Sequence, residues 1–229
     1  MSSPRPELLV APCSYQAAKY AVEKWHYSGV MPAGKTVKWG VWEDKEFIGA
    51  VIFSFGANNH IGSPYGLTQI EVCELVRIAL REHETPVSRI AGKAIDCQRK
   101  QSPGLRLLVS YADPEQGHIG VIYQAMNWLY VGHSRPQRET LRPDGSIMHK
   151  RTAHSLYGTI KGLEPSKVLW KYKYLYPLDR AMRRQIAPLA QPYPKRDTRP
   201  VNGDTLATSE AGRFDSEPGA LIEAEPHGD

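Results

Sequence analysis

Two apolar segments with little alternation of apolar and polar residues constrain the fold more than any other feature of this sequence. One is IEVCELVRIAL, residues 70–80, and the other is LRLLVSY, residues 105–111. A strand that faces solvent on one side alternates apolar and polar residues, whereas a strand covered on both faces shows little alternation. Both segments are therefore predicted to be inner strands of a sheet that carries helices on its two faces.

Helical periodicity predicts three helices around these strands. The first runs from Ser14, a good N-cap, to about Tyr27. The second is capped by Ser88 and ends at the Pro-Gly pair at 103–104. The third has one apolar face, formed by Ile119, Ile122, Ala125 and Met126. An apolar face of this kind is expected of a helix that packs on a sheet.

Runs of β-branched and aromatic residues predict further strands. TVKWGVW and FIGAVIFSF, within residues 36–55, form a hairpin around the polar turn EDKE. NWLYVG (127–132) is another strand, and KVLWKYKYLYPL (167–178) is the last. The polar and basic stretch 135–151 is predicted to be an ordered excursion or a flexible loop. Strands alternate with helices only in the middle of the chain, so the predicted class is α/β of the α+β kind, with a mixed central sheet flanked by helices.

The distribution of charge separates a body from a tail. The net charge is +5, but residues 200–229 hold seven acidic side chains against one arginine, which leaves +11 on residues 1–199. We predict one folded domain over residues 1–188 and a Pro-rich, acidic tail over 189–229 that is disordered from about residue 200. A basic body indicates a polyanionic partner such as nucleic acid, although many soluble domains are moderately basic without one.

Several protein classes are excluded by the same reading. No stretch approaches the roughly 18 apolar residues of a membrane-spanning helix, and the N-terminal MSSPRPELLV lacks the pattern of a secretory signal. Cys13, Cys73 and Cys97 are odd in number and have no CxxC spacing, which argues against a disulfide framework or a zinc site. We expect an intracellular protein with reduced thiols and no contact with a membrane.

Asp113 and Tyr123 have the side chains best suited to acid–base chemistry. Asp113 comes directly after the second inner strand, and ligands of open α/β sheets sit beyond the carboxyl ends of strands. Its carboxylate can act as a general base or position an amine; the alternative is an Asp that opens a turn before Pro114. Tyr123 lies off the apolar face of the third helix, so it can face a cleft and protonate a leaving group or stabilise charge.

Histidines and one asparagine supply further candidates. His26 lies at the end of the first helix, where it can be a base, a ligand or a cationic residue that stabilises the helix terminus. His26, His118 and Asp113 could form a metal site of two histidines and one carboxylate. The amide of Asn127 can read an adenine edge, although many asparagines only satisfy backbone groups.

Four blocks of the sequence resemble the Mom family of bacteriophage DNA-modification proteins. They are WHYS (25–28), ELVRIAL (74–80), LLVSYAD (107–113) and GHIGVIYQAMNWLYVGHS (117–134), and the resemblance runs from about residue 15 to residue 176. It implies a fold similar to the GNAT acyltransferases. It also implies conversion of adenine in DNA to an N6-carbamoylmethyl derivative, which hides phage DNA from host restriction. The expected location is the cytoplasm of the bacterial host, for a phage- or prophage-encoded protein.

The resemblance assigns catalytic positions by motif. His26 and Tyr27 correspond to the WHYS-like motif, Asp113 to the aspartate of YAD, and Tyr123 to the tyrosine of YQA. Contacts to the DNA substrate are expected from two cleft and two basic positions. These substrate-binding candidates are Asn127, His118, Arg135 and Arg138.

By analogy with the fold, the group donor is expected beside Arg77 and Ile78 on the first inner strand and beside Ser88 and Arg89 at the start of the second helix. An acyl-CoA-type donor and iron are the cofactors that the resemblance suggests. The sequence departs from the acyltransferase pattern because TPVSRIAGK (85–93) replaces the glycine-rich loop that cradles pyrophosphate. Arg89 and Lys93 could replace that loop by charge.

The expected function is therefore an enzyme that modifies the N6 amine of adenine in double-stranded DNA. Because that amine is inaccessible inside a duplex, the base must be flipped out. Two alternatives remain: an acyl-CoA acyltransferase that acts on a small amine or a protein, and a DNA-binding protein without catalytic activity.

Overall fold

The structure is a computed structural model that describes residues 5–55, 60–135, 137–141, 147–149 and 165–195, with side chains described for 5–55, 60–135 and 170–195. Four α-helices lie in these residues: α1 (Tyr15–Trp25), α2 (Val87–Gln101), α3 (Val121–Ala125) and α4 (Arg180–Ile186). Ten strands accompany them: β1 (Leu8–Pro12), β2 (Thr36–Glu43), β3 (Glu46–Ser54), β4 (Val72–Leu80), β5 (Leu107–Ala112), β6 (Leu129–His133), β7 (Gln137–Leu141), β8 (Ile147–His149), β9 (Pro165–Leu169) and β10 (Tyr172–Pro177).

The main sheet is mixed, as the sequence predicts. Its seven strands lie in the order β1-β2-β3-β4-β5-β10-β6. The β4–β5 pair is parallel, and the neighbouring pairs are antiparallel. A second sheet has the order β8-β7-β9. The predicted class, an α+β fold with a mixed central sheet flanked by helices, is confirmed.

The inner strand β5 is covered on both faces. Leu107 and Val109 pack with α4 residues, whereas Leu108 packs in a separate cluster with residues of α2, and none of the three is exposed. Helix α1 covers neighbouring strands through a third cluster, in which Ala18 and Val22 contact β3 residues. The lack of alternation in the sequence thus reports helices on both faces of the sheet.

The first helix forms as its sequence predicts, with a slightly earlier end. The Ser14 hydroxyl accepts a hydrogen bond from the Ala17 amide at 3.1 Å, which caps α1. The helix ends at Trp25 because the backbone of His26 is extended. As a result, His26 and Tyr27 leave the helix axis instead of continuing the helix.

The structure contains one strand that was not predicted and places the cap of one predicted helix at a different residue. Strand β1 was not predicted, because it has only five residues and ends in Pro12. Helix α2 begins at Val87 with Pro86 in the N-cap position, so Ser88 lies in the first turn and does not cap it. The prolyl carbonyl accepts the amides of Arg89 and Ile90, which starts the helix without a side-chain cap.

The third helix is much shorter than predicted. It has five residues, and none of them is fully buried, so the predicted apolar face is wrong. Gly117 and Gly120 have positive φ values before it and Asn127 has one after it, which prevents extension in either direction. Instead of facing away from the apolar residues, Tyr123 packs on Trp128 and Tyr174.

The predicted last strand is two strands in different sheets. Its first part is β9, in the small sheet, and its second part is β10, in the main sheet. The stretch 135–151, predicted to be an excursion or a loop, contains β7 and β8, which pair with each other. Within β10, Tyr172, Tyr174 and Tyr176 lie at alternate positions and all pack in the same cluster.

The ordered body extends past the predicted boundary at residue 188. Tyr193 donates its hydroxyl to the Trp128 carbonyl at 2.8 Å, and the Gln191 amide donates to the Tyr130 carbonyl at 2.8 Å. The folded domain therefore reaches residue 195 at least, and the predicted disorder of the later residues lies outside the described residues. Within the described part, no helix has the length and apolar character needed to cross a membrane. The three cysteines are free thiols.

Of the two glycines with positive φ in the β5–α3 connection, Gly120 is expected to tolerate a side chain less well. Its φ is +81°, and an added Cβ would lie 2.4 Å from the Tyr174 ring. Gly120→Ala should lower the free energy of unfolding by about 2–4 kcal/mol, because backbone strain and a buried clash add together. Gly117→Ala is the matched control: its φ is +66° but no atom lies within 4 Å, so it should lose only about 1 kcal/mol. Urea unfolding of both variants measures the difference; equal losses would contradict the clash.

Candidate active site

A cleft opens because the parallel strands β4 and β5 part after three residue pairs. The ladder joins Val72–Glu74 to Leu107–Val109, yet β4 continues to Leu80 and β5 to Ala112. In that second half β5 remains paired with β10. The space between the two diverging strands is the candidate site.

A bulge in β4 accompanies the divergence. In the pairing of β4 with β3, Val76 is the extra residue between Leu75 and Arg77. A bulge bends a strand and increases its twist, which turns the second half of β4 away from β5. Ser110 bridges the start of the gap, because its hydroxyl donates to the Leu75 carbonyl at 2.7 Å. The first carbonyl beyond the ladder therefore stays satisfied although it is buried.

The cleft has a volume of about 610 Å³. Its walls are the second half of β4, the end of β5, the start of α2, the β5–α3 connection with α3, and the residues that follow α1. It gathers eight of the site residues predicted from the sequence: His26, Tyr27, Arg77, Ile78, Ser88, Asp113, His118 and Tyr123.

Asp113 is held by a contact on each carboxylate oxygen. Oδ2 lies 2.8 Å from Lys171 Nζ, and Oδ1 accepts the Glu115 amide at 3.1 Å. The Asp113 side chain is 14% exposed and that of Lys171 is 39% exposed. A pair this accessible adds little stability, at most about 1 kcal/mol. Its main effect is to fix the direction of the carboxylate. Asp113 thus serves as the turn residue that the sequence allowed and also lines the cleft.

His26 is a neutral hydrogen-bond donor in this cleft. The backbone amide of Ser28 donates to His26 Nδ1 at 3.1 Å, and Ser28 Oγ lies 2.8 Å from the same nitrogen. In the neutral ring the hydrogen is therefore on Nε2. Burial lowers the pKa of His26 to about 4, with further lowering by the cations Arg77 and Lys171 and by His118. The interpretation as a helix-terminal cation is wrong, because the ring is uncharged at neutral pH.

Tyr123 directs its hydroxyl hydrogen at Ser110. The two oxygens are 2.7 Å apart. Ser110 has one hydroxyl hydrogen and donates it to the Leu75 carbonyl, which can only accept. Tyr123 must then be the donor in its bond with Ser110. Burial raises the pKa of Tyr123 to about 12, so the phenol stays protonated and has its lone pairs available to other partners.

The loop before α2 is poorly suited to bind a pyrophosphate. The amides of Glu84 and Thr85 donate to the Glu43 carboxylate at 2.9 and 2.8 Å. Backbone amides already bound to a carboxylate do not form an open anion nest. Lys93, which could have replaced a glycine-rich loop by charge, instead donates to the Leu8 carbonyl at 2.7 Å. These two amides and the Lys93 ammonium are therefore not available to the pyrophosphate of a CoA-type donor.

Four predicted residues lie away from the cleft lining. Arg89 is exposed on α2, and Arg135 is exposed after β6. Asn127 is exposed and has a φ of 56°, so its backbone conformation explains the asparagine. The backbone of Arg138 lies in β7, and its side chain lies outside the described residues.

The hypothesis of a metal bound by His26, His118 and Asp113 does not fit the described residues. Among them, no group of three or more His, Cys, Asp or Glu side chains lies close enough together to hold a metal ion. Asp113 is paired with Lys171, and His26 Nδ1 is occupied by Ser28. The described residues therefore do not fit the iron that the resemblance suggested.

Glu74 is a functional candidate that the sequence reasoning did not select, and the pairing of Lys171 with Asp113 is a contact that it did not predict. Glu74 lies in β4, and burial raises the pKa of its carboxyl to about 7, against the opposing effect of Arg77 and Lys171. A charged residue inside a strand covered on both faces was the available signal, because burial of an acid is costly without a role or partner. Lys171 was hidden in the segment interpreted as one continuous strand.

The raised pKa of Glu74 predicts a stability that falls with pH. The unfolded chain releases this proton near pH 4.5, but the folded chain keeps it until about pH 7, so stability is lost across that window. The loss is on the order of 3 kcal/mol at pH 8 relative to pH 4. Glu74→Gln should remove it, so the variant gains stability over the wild type as pH rises. Urea unfolding from pH 4.5 to 8 measures the gain, with the exposed Glu23→Gln as control; parallel curves would contradict the shift.

The sequence was compared with known proteins. The family model described as the Mom protein family matches residues 7–195. The methylcarbamoylase mom of Escherichia phage Mu is 25% identical over 205 residues, which cover 82% of this chain and 84% of the phage Mu protein.

The structure was compared with solved structures. The N-acyl amino acid synthase FeeM from uncultured soil microbes has a TM-score of 0.45 and 12% identity, covering 80% of this chain and 97% of FeeM. A GNAT-family acetyltransferase of Streptococcus pneumoniae has a TM-score of 0.45 and 13% identity, covering 75% of this chain and all of that one.

The mixed sheet, with a cleft where its two parallel strands part, defines an α+β protein with a candidate site at the centre of the sheet. A more particular assignment follows from the sequence match, which spans nearly all of the described residues. The chain belongs to the Mom family.

Proposed function

We propose that the chain transfers a carbamoylmethyl group to the N6 amine of adenine in DNA. The observation that carries the proposal is the match of residues 7–195 to the Mom family, together with the cleft in which the predicted Asp113, His26 and Tyr123 meet. The relative from phage Mu is named a methylcarbamoylase, and a methylcarbamoyl group has the same composition as a carbamoylmethyl group, so the name supports a transferred group of that composition.

The shape of the cleft supports an extrahelical base as the substrate. Its reactive side chains lie between two strands and under the β5–α3 connection, where a base paired inside a duplex cannot reach. Enzymes that modify a base in DNA rotate it out of the stack into a pocket of this kind. Access therefore requires that one nucleotide leave the duplex before reaction.

Exposed cations support contact with the DNA backbone. Arg180, Arg183 and Arg184 lie on the exposed side of α4, and among the described side chains no acid forms an ion pair with them. Lys173 is half-buried and lies over the Tyr65 ring, 5.0 Å from its centroid. Such cations bind phosphates without reading sequence, which suits an enzyme that acts at many sites.

The roles of the cleft residues follow from their contacts. The amine nitrogen bonds to the methylene carbon of the donor while that carbon's bond to its leaving group breaks. The Asp113 carboxylate, fixed by Lys171, accepts a hydrogen bond from the amine and takes the proton that nitrogen loses. His26 donates from Nε2 to an acceptor of the base or the donor.

Nucleoside mass spectrometry tests the proposal. Plasmid DNA from bacteria that express the full chain is digested and compared with DNA from cells that carry the empty vector. We expect a deoxyadenosine species that is heavier by one carbamoylmethyl group and absent from the control. Unmodified DNA from cells with abundant folded protein would contradict the proposal. A species of another mass would correct the transferred group while keeping DNA as the substrate.

A further inference from the structure

Three aromatic rings meet at the cleft. The centroids of His26 and Tyr27 are 4.3 Å apart with planes inclined by 31°, and those of Tyr27 and His118 are 5.5 Å apart. The first two residues follow α1, and His118 belongs to the β5–α3 connection. All three residues line the cleft. The Tyr27 ring contacts both histidine rings, so it connects the segment after α1 with the β5–α3 connection.

Tyr27 is not explained by packing. Its side chain is 54% exposed, and it belongs to none of the three hydrophobic clusters of the sheet. The other aromatic residues of the cleft, Tyr111 and Tyr123, are much less exposed and pack in those clusters. An aromatic ring with a large exposed area at the edge of a cleft is a typical contact for a flat ligand.

Hydrogen bonds hold the His26 ring and the connection that carries His118. The His26 ring is uncharged at neutral pH because its pKa is lowered to about 4. Ser28 holds the His26 ring through Nδ1. The connection that carries His118 is tied to β10, because the Tyr174 hydroxyl donates to the Ile119 carbonyl and Gln124 donates to the same carbonyl at 3.1 Å. A stacking surface that is ordered before binding loses little entropy when a ligand arrives.

We infer that the Tyr27 ring, which contacts the His26 and His118 rings and is 54% exposed, is the surface on which the extrahelical nucleobase stacks. The choice of a nucleobase as the flat ligand rests on the proposed function. Stacking accepts any base, so Tyr27 supplies affinity, and the polar groups of the cleft supply the preference for an amine.

Paired DNA probes test this inference by binding alone. One short duplex carries an adenine opposite an abasic site, which makes flipping easy, and the other is abasic in both strands. The ratio of their dissociation constants isolates the base, because backbone contacts are common to both. Stacking on one aromatic ring predicts a ratio of about 5- to 100-fold for the wild-type chain. Tyr27→Phe should keep this ratio within about 2-fold, since the ring remains.

Tyr27→Leu should lower the ratio by at least about 5-fold, because the flat surface is lost while the other contacts with the base remain. Tyr15→Leu is the matched control: Tyr15 is 51% exposed at the start of α1 and does not line the cleft, so its ratio should equal that of the wild type. A wild-type ratio near 1, a ratio unchanged by Tyr27→Leu, or an equal loss in Tyr27→Phe would overturn the inference. The nucleoside assay is independent: a high ratio with unmodified plasmid DNA would retain the stacking site and reject the proposed reaction.

Discussion

Asp113→Asn is expected to lower the modified fraction of plasmid adenine by at least about 100-fold, the loss typical of a missing general base. Asparagine has the same shape and can still accept the Glu115 amide through its side-chain oxygen, so the turn after β5 should persist. What the variant loses is the negative charge that faces Lys171 and the ability to take a proton from an amine. Nucleoside mass spectrometry at matched protein levels measures the loss.

Two further variants separate catalysis from folding. Asp96→Asn makes the same change in an exposed acid on α2 that lies outside the cleft, and it should modify DNA as the wild type does. Combining Lys171→Met with Asp113→Asn removes both charges of the pair. If Asp113 only neutralises Lys171, the double variant should recover activity; we expect it to remain inactive. Recovery, or near-normal activity of Asp113→Asn alone, would refute the role of Asp113 as proton acceptor.

The architecture was largely predictable because burial on both faces leaves a direct trace in sequence. The segments that became β4 and β5 lack alternation, and this lack alone implied covering helices. Elements of only five residues are too short to show a recognisable apolar pattern in the sequence. Strand β1 has five residues, and α3 is limited by two glycines and Asn127 with positive φ. Local periodicity cannot detect where a backbone leaves the helical region, so the predicted apolar face of α3 was wrong.

The candidate site was predictable only in part, for a related reason. Position after a strand indicated Asp113, positions in the predicted helices indicated His26 and Tyr123, and the resemblance added Tyr27; all four line one cleft. The partner of Asp113 is Lys171, 58 positions away in sequence, and it reaches Asp113 because β10 pairs with β5. That pairing is a long-range contact that spacing does not reveal. The lowered pKa of His26 likewise depends on cations from other elements.

Tyr123→Phe is expected to lower DNA modification by about 10- to 100-fold, with a loss of only about 1 kcal/mol in the free energy of unfolding. The ring keeps its contacts with Trp128 and Tyr174. Ser110 keeps its bond to the Leu75 carbonyl, so no buried donor is left unpaired. The activity loss follows if the phenol contacts the reacting groups, since its pKa near 12 keeps it a donor throughout the neutral range.

Ser110→Ala decides whether that hydroxyl acts on the reaction or only on the fold. In the structure the Tyr123 hydrogen is directed at Ser110, so donation to a substrate requires that this bond break. Removing Ser110 Oγ frees the phenol and leaves the Leu75 carbonyl unpaired, at a cost of about 1–3 kcal/mol in stability. If Tyr123 donates to the reaction, Ser110→Ala should keep modification within about 3-fold of the wild type, because the freed phenol no longer has a competing acceptor. A loss as deep as that of Tyr123→Phe would mean that the bridge between β4 and β5, and not the phenol, is what the reaction needs.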